Sequence, residues 1–315
     1  MNHIVEPNHS HSTAYLPLPH TAKPSRPQPK RLADTKGMSR EQWLQVRKQG
    51  IGSSDAAAAC GLNPHMSMLE LWMIKTGRIQ PPPDQPTKNR YSPLYWGNKL
   101  EPLIADYYRH KTGNKVRRVN AVLQHSDADK CFMLANLDYA VVGSEEVQIL
   151  ECKSVGEWGT KHWRDAVPLY VIIQVQHQLA VTGKQAAHIC ALICGHEAKI
   201  FKVERNEIVI DRIIASERIF WNCVEKDVPP AVDASESAAK ALQLLYPQHI
   251  PLQTVDLSGM SGIDQLFTDL LNEDKQLADH QTKYDFLKHR IQILMKDAER
   301  ATFSQGSVTW KKSKD

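Results

Sequence analysis

The sequence has no CxxC pair, no apolar run long enough to cross a membrane, and little net charge. Its six cysteines (Cys60, Cys131, Cys152, Cys190, Cys194, Cys223) are scattered. Neither a disulfide framework nor a zinc site is therefore expected, and the clustered thiolates of an iron–sulfur centre are missing. Cys190 and Cys194 lie in an apolar strand-like run and read as core residues. The N-terminus shows no apolar stretch of the secretory kind and nothing reaches spanning length, so a cytosolic protein is expected. With 39 Lys and Arg against 35 Asp and Glu, the net charge is +4. That excludes a global nucleic-acid signature and leaves only local basic surfaces.

What is present is ordinary globular material: 42% hydrophobic and 23% charged residues over 315 positions, enough for one large domain or two smaller ones. Residues 1–38 read as a disordered tail, rich in proline and histidine and poor in large apolars. Ser39 with Gln42 has capping-box spacing before a helix at 40–48. Gly50 and Gly52 suit a tight turn, after which Ser53, Ser54 or Asp55 can cap a small-residue helix at 56–60. A helix start beside Arg47 and hydroxyls suits a phosphate, and equally suits plain capping.

Helices are expected at 67–76, 94–112, 168–182 and 207–226, with a Pro-rich loop at 80–86. Glu101 lies on the flank of the apolar stripe of 94–112 and is a candidate carboxylate. Strands are expected at 116–124, 131–142, 147–153, 186–194 and 199–203. On the 168–182 helix, Gln174 and Gln178 share a face while Val171, Val175 and Leu179 pack. The order predicts an α/β domain with a mixed sheet over 39–230. A linker at 231–261 and a C-terminal segment at 262–315 follow, the latter a long helix and a hairpin. That helix is coiled-coil-like or docked on the core.

The chemistry gathers at Asp138 and the stretch Leu150-Glu151-Cys152-Lys153, a D-x12-E-x-K pattern. A Gly-containing turn at 143–145 between two apolar runs predicts a hairpin that brings Asp138 toward Glu151 and Lys153. Strand alternation puts those two on one face. Two carboxylates and an ammonium suit a divalent cation and a water oriented or deprotonated by the lysine. The same residues suit a solvated salt bridge at a strand end.

Four stretches in order resemble one family: Arg47 through Asp55 with the following alanines, Trp96-Gly-Asn-Lys-Leu-Glu101-Pro, Leu150-Glu-Cys-Lys153, and Gln174-Val-Gln176-His-Gln-Leu. Together they resemble the YqaJ-like viral recombinase nucleases, relatives of lambda exonuclease with a PD-(D/E)xK core. The resemblance spans roughly 42–230. It implies Mg²⁺ or Mn²⁺ held by Asp138, Glu151 and the Cys152 backbone carbonyl, with Glu101 serving a second metal or its water shell. It further implies that Lys153 activates the attacking water, that Gln174 orients Lys153 or the substrate, and that Arg47 with Ser54 and Ser53 holds a 5′-terminal phosphate. The implied activity is a phage-type 5′→3′ exonuclease on double-stranded DNA ends, making single-stranded tails for recombination in a bacterial cytoplasm. The implied partners are a single-strand annealing protein and further copies of the chain.

Two departures stand out: Asn136-Leu137-Asp138 replaces the family's Pro-Asp, and an acidic position about ten residues earlier is blurred between Asp127 and Asp129. Competing readings are a structure-specific or foreign-DNA endonuclease, and a catalytically silent DNA-binding or scaffold protein. Basic residues Lys111 and Lys115 to Arg118 suit a DNA channel or a solvated face equally.

Overall fold

Two runs that read as single strands are each divided between two sheets, and that division positions the site. The computed structural model describes residues 28–81 and 92–311. Most of the expected tail and of the Pro-rich loop lies outside these residues. The chain divides into two units, 1–247 and 248–315.

In the first unit the elements run β1 (Lys30–Asp34), α1 (Arg40–Arg47), β2 (Ile51–Gly52), α2 (Ala56–Ala59), α3 (Met68–Lys75) and α4 (Pro93–Thr112). Next come β3 (Lys115–Arg118), β4 (Ala121–Gln124), β5 (Met133–Ala135), β6 (Tyr139–Val142) and β7 (Ile149–Val155). The unit closes with α5 (Leu169–Thr182), β8 (Ala186–Ile193), β9 (Glu197–Glu204), α6 (Glu207–Glu225) and α7 (Glu236–Leu245). A five-stranded mixed sheet has the order β3-β6-β7-β8-β9, and a smaller sheet the order β1-β4-β5-β2. The expected strand at 116–124 breaks at Val119-Asn120, sending β3 to the large sheet and β4 to the small one. The run at 131–142 breaks likewise, so Asp138 stands between sheets, immediately before β6, rather than within a strand.

Order also begins earlier than Ser39, because β1 pairs antiparallel with β4. Its partner is distant in sequence, which no local pattern reveals. The expected linker contains α7, whose Ala238 and Ala241 are buried. Its small-residue composition reflects close packing against α3 rather than a flexible connection.

The hairpin prediction holds. β6 and β7 pair antiparallel, with Tyr139 opposite Leu150 and Ala140 opposite Ile149. β7 then pairs in parallel with β8, reached through α5 as a strand–helix–strand crossover. Alternation along β7 sends Ile149 and Val155 into the core on the α5 side, and Leu150 into the core beneath α4. Val171, Val175 and Leu179 of α5 are fully buried, each worth about 1.5–3 kcal/mol in transfer terms. On α4 only Ile104, Ala105 and Tyr108 are buried. Trp96, Leu103 and Tyr107 of the expected stripe stay exposed. Cys190 is buried as expected, but Cys194 is exposed beyond the end of β8 at φ 49°.

Ser39 and Gln42 make the reciprocal capping box at α1. The glycines after it act differently from the expected turn. A Cβ at Gly50 would collide with the Phe132 carbonyl oxygen, and one at Gly52 would lie 2.8 Å from the Arg47 guanidinium. Gly50 lets the chain approach β5 closely, where β2 pairs in parallel, and Gly52 makes room for the Arg47 guanidinium.

The second unit holds α8 (Ile263–Met295) and the hairpin of β10 (Arg300–Phe303) and β11 (Gly306–Thr309).

Candidate active site

The apolar alternation of β7 is interrupted by Glu151 and Lys153, which share the α5-facing side of the strand. Lys153 Nζ lies 2.8 Å from Glu151 Oε1. α5 lays two glutamines against them. Gln174 accepts from Lys153 Nζ at 2.8 Å through Oε1 and donates to Glu151 Oε1 at 2.6 Å through Nε2. One helical turn on, Gln178 Nε2 donates to Glu151 Oε2 at 2.8 Å. Glu151 is thus held at both oxygens and buried, while Lys153 is partly exposed. Gln178 was legible as sharing Gln174's face, but its contact with Glu151 depends on the depth at which α5 docks, which no spacing gives.

Asp138 Oδ2 accepts from the Cys152 backbone N–H at 2.8 Å. Burial, then the Glu151 and Glu101 carboxylates, push Asp138 well above the usual carboxylate range against the pull of Lys153. Burial likewise raises Glu101, against Arg118. Lys153 moves the other way from its burial: desolvation works to lower it, but Glu151 and Asp138 hold it above the ordinary lysine value. Glu101 Oε1 lies 3.2 Å from Arg118 Nη2, yet that oxygen is buried without a hydrogen bond. Arg118 sits on the edge strand β3, so one member of the local basic run reaches the site. Asp127 is instead occupied by Lys130 at 2.7 Å, and Asp129 is exposed.

Among the described residues, no three His, Cys, Asp or Glu side chains form a ready metal cluster. The set present is Asp138 and Glu151 with Cys152 between the strand's acid and lysine, flanked by Glu101. Mg²⁺ is commonly bound through one or two carboxylates while keeping several waters. The crowding of Asp138 with the Glu151 and Glu101 carboxylates, and the Glu101 oxygen left without a hydrogen bond, fit such a hard divalent cation.

Arg47 and Ser54 are brought together by the fold. Arg47 Nη2 donates to Ser54 Oγ at 2.9 Å, and its guanidinium lies over the Trp43 ring. The same guanidinium is paired with Asp55 at 2.5 Å, and Asp55 also holds Lys75 at 2.7 Å. Asp55 therefore does not cap α2; its Oδ2 takes the Gly52 N–H instead. Burial works to raise Asp55, but Arg47 and Lys75 hold it far below the usual range. Ser53 is buried. With only Ala56–Ala59 helical, α2 supplies little of the dipole expected at this place.

Behind α5, His177 lies 2.6 Å from Glu217 Oε1 and 2.9 Å from the Leu134 carbonyl. Burial alone would lower its pKa, but Glu217 and that carbonyl raise it; Nε2 faces a carbonyl, which only accepts, and so carries a hydrogen.

The mixed sheet, its crossover helix and this acid–lysine constellation define a PD-(D/E)xK-type core. Residues 42–185 match the model of the YqaJ-like viral recombinase domain. The protein YqaJ of Bacillus subtilis (strain 168) is 34% identical over 284 residues, covering 89% of this chain and 86% of that protein. The chain belongs to the YqaJ-like family. Similar solved structures include the alkaline exonuclease LHK-Exo of Laribacter hongkongensis, 20% identical with a TM-score of 0.47, covering 59% of this chain and 93% of that one. A phage-related exonuclease of Haemophilus somnus 129PT is 11% identical with a TM-score of 0.40, covering 56% and 96%. No helix among the described residues is long and apolar enough to cross a membrane.

Proposed function

We propose that the chain is a Mg²⁺- or Mn²⁺-dependent deoxyribonuclease that degrades double-stranded DNA from its ends, 5′→3′, leaving single-stranded tails for homologous recombination. The observation that carries this is the Glu151–Lys153–Gln174 arrangement with Asp138 held against the same strand by the Cys152 N–H. Asp138, Glu151 and the Cys152 carbonyl would hold the metal, with Glu101 beside them. A bound divalent cation polarises the scissile phosphate and lowers the pKa of its water.

The chain's own residues do the rest. Lys153, fixed by Gln174 and Glu151, has a third N–H with which to orient the attacking water and offset charge developing on the phosphate. Water adds to phosphorus, the P–O3′ bond breaks, the proton given up by the water is balanced by one taken up at the released O3′, and a 5′-phosphorylated nucleotide with a free 3′-hydroxyl leaves. Gln174 and Gln178 keep Glu151 from rotating away. Arg47 and Ser54 offer donors for a terminal phosphate, and a single-strand annealing protein would take up the product.

One observation favours the endonuclease reading. Arg47 is already neutralised by Asp55, which weakens an end anchor, and internal cleavage needs none. Digestion in Mg²⁺ of linear duplex with and without a 5′-phosphate, beside circular duplex, separates the two. Loss of the phosphorylated linear duplex alone supports the exonuclease; cutting of circles supports the endonuclease.

A further inference from the structure

The second unit carries a feature that the proposed activity does not use. Along α8, Ile263, Leu266, Leu270, Leu277, Tyr284, Leu287, Ile291 and Leu294 recur at alternating steps of three and four or their sums. Glu273 and His280 occupy the two positions that would complete the repeat. This is a heptad seam, and Leu266, Leu270, Leu277, Tyr284, Leu287 and Leu294 on it are all exposed.

The residues flanking the seam are sorted by sign. Asp269 and Asp274 flank its first half; Lys283, Lys288 and Arg290 flank its second. In a parallel pair, each flanking position meets the one five residues on in the other helix. Asp269 would then face Asp274, and Lys283 would face Lys288, like against like on both sides. An antiparallel pair removes both like-charge contacts: Asp269 of each helix meets Arg290 of the other, while Asp274 and Lys283 face Gln281 and Gln276. The surface is thus complementary to itself under a two-fold axis, as an isologous interface requires. In the isolated helix these charges make only local contacts: Gln265 with Asp269 at 2.8 Å, Lys288 over Tyr284, and Arg290 over Phe286.

The C-terminal end adds a receptor. Tyr284, Leu287 and Ile291 of α8, with Val308 and Trp310 of the hairpin, line a groove of about 380 Å³. We propose that α8 pairs with the α8 of a second copy of this chain as an antiparallel coiled coil. In the register that uses the whole helix, Leu270 and Leu266 of one copy enter the groove at Leu287 and Ile291 of the other. Asp269 then flanks Arg290, Glu273 meets the Tyr284 hydroxyl, and Leu277 meets His280. The polar seam positions lower the stability of the pair and fix its alignment.

The test is sedimentation of the full chain and of two charge-inverted variants, Asp269→Lys/Asp274→Lys and Lys283→Glu/Lys288→Glu/Arg290→Glu. All five positions are exposed, so folding is preserved. The wild type should dimerise. Each variant alone should self-associate on the order of tenfold more weakly or worse, because repulsion replaces attraction at both symmetry-related contacts between positions 269 and 290. An equimolar mixture of the two should recover the dimer. A monomeric wild type, an assembly indifferent to both inversions (as a parallel coil would be to the first), or a mixture that fails to recover would each overturn the proposal.

Discussion

Gln174 donates to Glu151 Oε1 at 2.6 Å, and so ties the crossover helix to the strand that carries the reactive pair. The contact makes the helix part of the site rather than a cover for it. Gln178 repeats the tie at the other carboxylate oxygen.

Removing either glutamine should leave the fold intact and slow hydrolysis. Gln174→Ala and Gln178→Ala should each lose roughly 10–100-fold in Mg²⁺-dependent rate or metal affinity, as for groups that orient metal ligands. Rate measured against Mg²⁺ concentration checks this. Unchanged rates would mean the glutamines serve packing alone.

The two glycines before α2 should respond differently to the same change. Gly50→Ala drives a methyl into the Phe132 backbone carbonyl and should lower thermal stability sharply. Gly52→Ala meets the movable end of the Arg47 side chain. It should keep the fold and lose preference for a 5′-phosphate. Melting temperature and the rate ratio between phosphorylated and unphosphorylated ends distinguish the two outcomes.

Asp55 sets a pH dependence. Its folded value is held below the ordinary carboxylate range by Arg47 and Lys75 despite burial. A depressed carboxylate contributes stability above its unfolded value, about 3.9, and loses it as pH falls through the folded value. Asp55→Asn breaks a buried pair and should cost about 3–5 kcal/mol at neutral pH. Urea unfolding of both proteins at descending pH should show the gap narrowing below about pH 4. A gap that widens with acid would contradict the assignment.

Much of this was legible because it is local. The Ser39–Gln42 capping box, the α5 period and the Glu151–Lys153 alternation need only neighbouring residues, and each is found in the structure. The parts that were not legible depend on distant partners. β1 finds β4 across the whole of α1 through α4. The runs around Val119 and Leu137 read as unbroken strands but change sheet, because each has one set of partners before the break and another after it. Arg47 was visible as a candidate anchor, but its neutraliser Asp55 and the buried Lys75 behind it were not, since a lysine on an apolar helix gives no sign of its partner.

The most direct check on the proposed chemistry is hydrolysis of linear duplex DNA by the wild type and by Lys153→Ala in Mg²⁺, with DNA binding and folding measured alongside. The variant should fold, bind DNA and lose on the order of 10²–10³-fold or more in rate, the range typical for a positioned donor aimed at charge developing in the transition state. A variant that cleaves at the wild-type rate would remove Lys153 from the reaction, and with it the reading of this site as a nuclease centre.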